Sequence, residues 1–469
     1  MAGHDSLRAG SGVIMNLPGF KNIRPGLLRQ LFVLVFPIVI QNLITTGVSL
    51  IDVVMLGRLD QTSLSAASLA GQVMFLLSIV YFGLSSAITI LASQYWGKRD
   101  HLTVAKILGL GLYIGMFFST LAFVLALVCP ASVMKIWTND PELVSEGAKY
   151  LRYVAFSYFF AGITQPYLSL MKSCERVKLS MVVSSLTLFI NISLNAVLIF
   201  GLLGMPGLGI IGAAIATSIS RFIEFVICAV DYSRQDIVPK GLKVTFAIPG
   251  VLAGDFARYS LPAFLNDSIW GLAFNMNSII MGHLNSDIVA ANSMVTVVRD
   301  FISVTGFGIS AGASILLGIE VGEHKEEQAR EDAASILKLT FFTGIVQGLV
   351  LLAITPFIPP LAKISDTAKH YLVIMLLIST VYQIGQIVNT LLIASLFRCG
   401  GDSRYGLILD IVTMWFVAVP MGLISAFVLK LPPIIVYAIT CTDEFIKMPF
   451  ALYHYKKKNW IKNLTRELN

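Results

Sequence analysis

Long apolar runs alternate with short polar gaps along the whole chain. Each run is about 20 residues long, which is enough to cross a hydrocarbon core roughly 30 Å thick. The runs are continuous, without the alternation of a half-buried strand, and only helices and closed barrels can span lipid. The pattern therefore predicts an all-α polytopic membrane protein with twelve transmembrane helices, near residues 30–56, 66–94, 107–129, 149–171, 180–203, 209–230, 259–281, 289–317, 335–358, 370–397, 405–428 and 433–454.

Basic residues mark one side of the predicted membrane. Lys and Arg concentrate in the N-terminal segment, in alternate gaps such as 98–106 and 172–178, and in the C-terminal tail. Cytoplasmic loops carry such an excess, so we expect a multi-pass protein of the cell membrane with both termini cytoplasmic. The tail can also contact anionic membrane lipid.

The composition agrees with this class and excludes others. Hydrophobic residues make up 56% of the chain and charged residues 13%, whereas soluble domains carry about 25% charged residues. The net charge of +7 comes from basic residues scattered over the gaps, so no nucleic-acid partner is expected. The five cysteines form no CxxC pair, and there is no HExxH motif or phosphate-binding loop. We therefore expect no enzyme activity, no cofactor and no metal beyond a coupling ion.

The chain contains an internal repeat. When residue n is aligned with residue n+225, FPIVIQNLITTGVSLIDVVMLGRLDQTSLSAAS meets LPAFLNDSIWGLAFNMNSIIMGHLNSDIVAANS without a gap. Pro37 then falls on Pro262, and Asp52 falls on Asn277. Each copy holds six predicted helices, so the copies are parallel repeats, as in transporters that rock one half against the other. A transporter is therefore favoured over a membrane enzyme, a passive channel or a scaffold.

The repeat also predicts the domain boundaries. They are a cytoplasmic N-terminal tail at 1–25, an N-lobe of helices one to six at 26–230, a cytoplasmic linker at 231–255, a C-lobe of helices seven to twelve at 256–455 and a basic cytoplasmic tail at 456–469.

Polar residues inside the predicted spans are candidate sites, because an ionisable group in the membrane costs at least a few kcal/mol unless it faces a partner or a cavity. Asp52 leads them in the first half. Asn191 and Asn195 are four residues apart and share one face of span five, and Thr217 lies in span six. For each asparagine or glutamine, a role in holding helices together is an equal alternative.

The second half is polar in a different way. Its uncharged and acidic candidates are Asn266, Asp267, Asn277, Gln383, Gln386 and Asn389. We expect Arg299 with Asp300, and Glu444 with Lys447, to form structural pairs near the cytoplasmic ends of their spans. Asp410 follows the loop RCGGDSR, so we expect water close to it.

Four stretches resemble the multidrug and toxic compound extrusion (MATE) family. They are P…QN…ID..MLG.L….L.A.S in span one, NDPELVSEGAKYLRY before span four, NISLNAVLIFG followed by GLGIIGAAIATSIS, and FRCGGDSRYGLILDIVTMWFVAVPMG. The resemblance covers about residues 25–455. It implies a V-shaped two-lobed fold and the export of amphipathic organic cations and drugs in exchange for H⁺ or Na⁺.

Residue by residue, the resemblance is closest to the DinF-like branch of that family. The cation site of that branch is matched here by Asp52, Asn191 and Thr217. Asn195 stands where the branch often has a second aspartate, so the N-lobe site carries one formal negative charge. Trp270 stands where the other bacterial branch has a span-seven glutamate, which places the C-lobe carboxylate of that branch in doubt here.

These residues together predict an ion-coupled exporter. Asp52 would bind one H⁺ or Na⁺, with the oxygens of Asn191, Asn195 and Thr217 as further ligands, and Pro37 would be the pivot of helix one. The predicted substrate contacts are Gln41, Asn42, Asn266, Asp267, Trp270, Asn277, Gln383, Gln386 and Asn389. The alternative within the superfamily is a flippase for lipid-linked sugars, which would need a strongly cationic cavity. The sequence demands nothing larger than a monomer.

Overall fold

In this computed structural model, the described residues are 24–57, 61–204, 207–361 and 364–467; their side chains are described except at 48–54, 56–57, 61, 64, 203, 242–243 and 361. Regular structure in these ranges is helical. The main helices are α1 Leu27–Gly57, α2 Gln61–Gly97, α3 His101–Val128, α4 Pro141–Ser173, α5 Val177–Phe200, α6 Gly209–Arg234, α7 Gly250–Gly282, α8 Ser286–Gly322, α9 Glu326–Ile354, α10 Asp366–Cys399, α11 Ser403–Val428, α12 Pro433–Thr440 and α13 Asp443–Lys456.

The predicted all-α membrane fold is confirmed, and every predicted span is helical. Within the described ranges, nine helices are long and apolar enough to cross a membrane: α1, α2, α3, α5, α6, α8, α9, α10 and α11. The predicted twelfth span is present as two consecutive helices, α12 and α13. The break lies at Thr442. Side-chain hydroxyls there bond to backbone carbonyls: Thr440 donates to the carbonyl of Tyr437, and Thr442 donates to that of Ile439.

The internal repeat is visible in the helix boundaries. The pairs α2 and α8, α3 and α9, and α4 and α10 begin 225 residues apart, at 61 and 286, 101 and 326, and 141 and 366. The turn after α2 has a left-handed residue, Arg99, with φ of 63°, and its equivalent His324 after α8 has φ of 60°. The duplicated sequence therefore forms duplicated local structure, down to the backbone of one turn.

Side-chain caps explain where several helices begin. Asp100 accepts the backbone N–H of Thr103 at α3, Asn285 accepts that of Ile288 at α8, and Ser365 accepts that of Ala368 at α10. Each cap satisfies a backbone donor that the first helical turn leaves without an internal partner. These polar residues fix the gaps between the apolar runs.

The chain forms two compact units, and it passes from one unit to the other within α1 and again within α7. One unit, here called the C-unit, contains the residues through Val39 and Leu265–Thr465; the other, the N-unit, contains Ile40–Phe264 and the residues from Arg466 onwards. Both changes of unit lie two residues after a proline inside a helix, Pro37 in α1 and Pro262 in α7. The lobe boundaries predicted from the sequence stay predictions.

The first half of α1 and the first half of α7 each pack against a glycine, and these two glycines are equivalent in the repeat. In the C-unit, a Cβ atom on Gly308 of α8 would overlap the side chain of Val39. In the N-unit, a Cβ atom on Gly83 of α2 would overlap the side chain of Phe264. Both pairs obey the offset of 225, so each unit repeats the same close helix contact through a small residue.

The helices α10 and α11 depart from regular α geometry. Leu392–Leu396 form a π turn in α10, and α11 contains the π-helical stretches Ile411–Ala418 and Ile424–Val428. A π turn inserts one extra residue and rotates the helix beyond it. In α10 this turn lies between Asn389 and Arg398, two residues of the buried polar site, whereas the equivalent helix α4 is α-helical throughout.

Candidate functional site

The interior of the C-unit holds a buried ammonium surrounded by carboxylates. Lys447 of α13 lies 2.9 Å from Asp410 of α11, 3.5 Å from Glu444 and 3.8 Å from Asp443. All four residues are at most 3% exposed. The predicted pair of Glu444 and Lys447 therefore exists, since residues three apart share a helix face. It belongs to a larger network.

The structure corrects the expectation that Asp410 lies close to water. Its two carboxylate oxygens are reached by Lys447 and by the amide of Asn266, which donates over 2.6 Å. Helices α7 and α13 cover it, although the loop before α11 is near in sequence. Sequence proximity to a loop did not report this burial.

A second ion pair continues the network across α7 and α10. Arg398 forms a two-bond pair with Asp267, at 2.5 and 3.1 Å, and also donates to the Asn266 oxygen over 2.6 Å. Asn266 thus accepts from a guanidinium and donates to Asp410, so it bridges the two ion pairs. Arg398 was not named as a candidate from the sequence, and Asp410 was named only as a residue expected near water. Each was detectable as a charged residue at the edge of an apolar run.

The predicted amides of α10 line the same side of that helix. Asn389 donates to the Glu444 carboxylate and backbone carbonyl, both over 2.7 Å. Gln383 and Gln386 exchange longer hydrogen bonds with Ser303 of α8. Gln383, Gln386 and Asn389 are thus all buried and hydrogen-bonded to neighbouring helices.

A small cavity adjoins this face. Its volume is about 10 Å³. That is room for about one water molecule. The residues that line the cavity are Ser303, Gly306, Phe307, Gln347, Gln383, Gln386, Ile387 and Thr390. The Gln347 amide donates to the carbonyl of Ile302, and its Oε1 atom is buried without a hydrogen-bond partner in the structure. The cavity can therefore hold a water that completes the hydrogen bonds of the amides.

Arg299 does not form the expected pair with Asp300. Its guanidinium lies 4.2 Å from the centre of the Tyr382 ring and donates to the Tyr437 hydroxyl over 3.4 Å. Adjacent residues on a helix point about 100° apart, so neighbours in sequence do not face each other. Arg299 is instead held by aromatic faces, which attract cations. We call Asp267, Arg299, Arg398, Asp410, Asp443, Glu444 and Lys447 the charged core.

In the N-unit, the predicted cation-site residues of α5 and α6 meet. Asn195 donates to the Asn191 oxygen over 3.2 Å, and Asn191 donates to the Thr217 hydroxyl over 3.4 Å. Both asparagines are buried. Gln41 of α1 reaches the same helix α5, donating to Ser184 over 2.9 Å and accepting from Ser180 over 3.3 Å. Among the described side chains, these amides and hydroxyls form one largely buried polar face.

Asp52 lies in helical backbone of α1, but its side chain is outside the described residues. Its repeat equivalent Asn277 is partly buried, with its Oδ1 atom unbonded in the structure. Asn42 is partly buried, and Trp270 stacks on Phe274 with ring centres 5.8 Å apart. The roles assigned to these four residues stay predictions.

The N-unit contains a buried carboxylate that the sequence analysis did not single out. Glu224 of α6 is 1% exposed and lies 2.6 Å from Arg221 and 3.3 Å from the Gln165 amide. It follows Thr217 by two helical turns on α6. A glutamate inside an apolar run, three residues after an arginine, was the signal that could have found it.

Other site chemistries find no support in the described part of the chain. No group of three or more His, Cys, Asp or Glu side chains there is arranged to hold a metal ion. The stretch GISAG at 308–312 matches the spacing of a serine-hydrolase elbow. However, Ser310 lies inside α8, and its hydroxyl bonds to the carbonyl of Thr390, whereas a nucleophile elbow needs a strand-to-helix turn.

The family model described as MatE matches residues 37–197 and again 262–424, so its second match also begins 225 residues after the first. The uncharacterized transporter YisQ of Bacillus subtilis is 22% identical, over 92% of this chain and 95% of its own length. The probable multidrug resistance protein NorM of Agrobacterium fabrum is 23% identical, over 86% of this chain and 87% of its own. The solved structure of the Vibrio cholerae MATE transporter VcmN superposes with a TM-score of 0.83 at 18% identity, covering 92% of this chain and 97% of that one. The family model matches both halves of the chain, and the fold agrees over almost the full length. This chain therefore belongs to the MatE family of transporters and is not an enzyme.

Proposed function

We propose that this protein exports drugs and other amphipathic organic cations from the cell in exchange for inward H⁺ or Na⁺. Family membership supports the class, and relatives such as NorM carry the name of multidrug resistance proteins. In this proposal the protein works as a monomer in the cell membrane, with both termini cytoplasmic.

The observation that carries the coupling is the buried chain Asn195–Asn191–Thr217 on α5 and α6. It offers oxygens of the kind that hard cations prefer, but it has no negative charge of its own. A cation there needs a carboxylate, and Asp52 is the proposed source. With asparagine at 195, the site carries one formal charge and takes one monovalent cation per cycle.

The cycle follows from differential binding. The cation binds Asp52 in the outward-open state, and its binding lowers the affinity for the exported compound. Pro37 is the proposed pivot, because it cannot donate a backbone hydrogen bond inside α1 and the two units change over two residues later. Cation and drug must favour different states, since equal binding shifts no equilibrium.

The proposed substrate contacts come from both repeats. Among the polar residues, Gln41, Asn266, Gln383, Gln386 and Asn389 already have hydrogen-bond partners inside their units. Asn42, Trp270 and Asn277 complete the predicted set, with Asp267 held by Arg398. We expect the aromatic Trp270 to supply apolar contact and the amides to supply orientation.

Dye efflux from vesicles tests the proposal, with the wild type compared with Asp52→Asn under pH and Na⁺ gradients imposed separately. We expect the wild type to respond to one gradient only and Asp52→Asn to lose gradient-driven efflux. Asp236→Asn is the matched control, because that aspartate is 94% exposed in a surface pair with Lys240. Undiminished efflux by Asp52→Asn would reject Asp52, and Glu224→Gln would then be tested next.

A second variant tests the number of ions. Asn195→Asp places a second carboxylate beside Asn191, at the position from which the wild-type Asn195 amide donates to the Asn191 oxygen over 3.2 Å. We expect the number of cations per exported dye to rise from one to two, measured as the steepness with which efflux follows the ion gradient. A wild type that already moves two cations through this site would contradict the single-charge proposal. A folded wild type without efflux under either gradient would favour the flippase alternative.

A further inference from the structure

The charged core of the C-unit carries an imbalance of charge. It contains four carboxylates, Asp267, Asp410, Asp443 and Glu444, against three basic groups, Arg299, Arg398 and Lys447. Six of these residues are at most 8% exposed, and the Asp267 side chain is 11% exposed. A surplus charge without solvent is expensive, whereas a neutral group is not. One bound proton would bring the core to neutrality.

The hydrogen bonds show which carboxylate is the weakest held. Asp267 faces Arg398 through two bonds, and Asp410 receives both Lys447 and the Asn266 amide. Glu444 receives the Asn389 amide over 2.7 Å. Asp443 accepts a hydrogen bond from the backbone N–H of Glu444, and its Oδ1 atom, like that of Asp410, is buried without a hydrogen-bond partner in the structure. The ammonium of Lys447 lies 2.9 Å from Asp410 but 3.8 Å from Asp443, beyond hydrogen-bond distance. Among these acids, Asp443 gains the most from protonation.

The neighbouring helix α10 also supplies a hydrogen-bond acceptor. Asn389 of α10 is 2% exposed, and its Oδ1 atom has no hydrogen-bond partner in the structure, while its amide nitrogen binds Glu444. A protonated carboxyl becomes a hydrogen-bond donor, which an amide oxygen can accept. Rotation of the Asn389 amide would present that oxygen to Glu444.

Several helices bring charged and titratable groups to the pair Asp443 and Glu444. The facing titratable and charged groups are Asp267 from α7, Arg299 from α8, Tyr382 and Arg398 from α10, Asp410 from α11, Tyr437 from α12, Cys441 between α12 and α13, and Lys447 from α13. Arg299 and Lys447 repel any further cation that keeps its charge, and they also stabilise the ionised form of the acids. The net charge of the core therefore falls to zero only if one acid is neutralised. A proton meets this condition because it removes a charge without bringing a separate ion.

We propose that Asp443, backed by Glu444 and Lys447, binds one exchangeable proton inside the C-unit. A metal cation is disfavoured, since the ammonium of Lys447 already occupies the centre among the carboxylates. Within the ranges that the structure describes, no metal-binding arrangement of acids exists there either. The use of this proton in transport rests on the proposed ion-coupled efflux; its binding does not.

Infrared difference spectroscopy of the purified full-length protein, between alkaline and acidic buffer, measures the proton directly. A protonated carboxyl group has a C=O band that a carboxylate lacks. We expect one buried carboxyl band in the wild type, and its loss or shift in Asp443→Asn. Asp366→Asn should leave the band unchanged, because this aspartate is 98% exposed at the start of α10. Glu444→Gln should shift the band but keep it.

A second variant should change the band in the opposite direction. Lys447→Met removes the positive charge at the centre, so the buried carboxyl band should grow. The inference is overturned if the wild type shows no buried band, or if the band survives Asp443→Asn unchanged. It is also overturned if Lys447→Met leaves the band as it was. Failure of dye efflux with the band intact would count against the transport proposal and leave the proton site standing.

Discussion

The two units repeat one helix arrangement but fill it with different chemistry. In the N-unit, Gln41 of α1 bonds to the hydroxyls of Ser180 and Ser184 on α5. In the C-unit, the equivalent residue Asn266 of α7 bonds to Asp410 on α11 and to Arg398 on α10. The same helix contact is neutral in one copy and ionic in the other.

The difference continues along the equivalent helices. Arg398 of α10 falls on Ser173 of α4, and Asn389 falls on Thr164. The Ser173 hydroxyl bonds to the hydroxyl of Thr89 and to the backbone carbonyl of Ser169. Only the charged copy contains a π turn between these two positions. A duplicated scaffold thus keeps its packing while one copy acquires buried charge, and we expect the cost of breaking a contact to differ accordingly.

The largest effect is expected from Lys447→Met, which leaves three buried carboxylates around an empty centre. Removing one partner of a buried ion pair costs about 3–5 kcal/mol of unfolding free energy. Denaturant unfolding of the detergent-solubilised protein measures it. Lys369→Met is the matched control, because Lys369 pairs with Asp366 at the surface, where such pairs contribute about 0.2–1 kcal/mol. Equal losses in both variants would show that the buried charges of the C-unit contribute no more to stability than a surface ion pair.

Asn266→Ala should have the next largest effect. The change takes one hydrogen bond from Asp410 and one from Arg398, both buried. Leaving buried polar groups without partners costs about 1–3 kcal/mol. The same unfolding assay measures it, with Asn266→Asp as the companion variant, which keeps the acceptor for Arg398 but repels Asp410. A loss no greater than that of the control would show that water replaces the amide.

Gln41→Ala should have the smallest effect of the three, although it is the repeat equivalent of Asn266→Ala. Gln41 is only partly buried, and its partners are serine hydroxyls that can turn to other acceptors. A neutral hydrogen bond contributes about 0.5–1.5 kcal/mol. If Gln41→Ala destabilises the protein as much as Asn266→Ala, charge does not explain the difference between the copies.

The fold was predictable from the sequence because it consists of long apolar helices arranged in an internal repeat. Apolar runs set the spans, and the offset of 225 is reproduced in the helix starts and in the turn at Arg99 and His324. The contact of Asn191 with Asn195 followed from their spacing on one helix. The break before Asp443 was not predictable in this way, because apolar character alone does not distinguish one helix from two.

The site was less predictable because its partners come from distant parts of the chain. Asp410 was expected near water, but α7 and α13 bury it. Arg299 was expected to pair with its neighbour Asp300, but its guanidinium lies over the ring of Tyr382. Glu224 was passed over beside Arg221. Burial of a charge depends on tertiary contacts that a single helix pattern does not contain.

The change of unit within α1 has a consequence for biosynthesis. Residues 24–39 pack in the C-unit, where Val35 and Val39 meet Gly312 and Gly308 of α8. Those glycines are synthesised more than 260 residues after the start of α1. Synthesis proceeds from the N-terminus. The first helix would therefore enter the membrane before the glycines of α8 that it contacts have been synthesised. The chain would therefore need to hold its beginning unassembled until its second copy has been made.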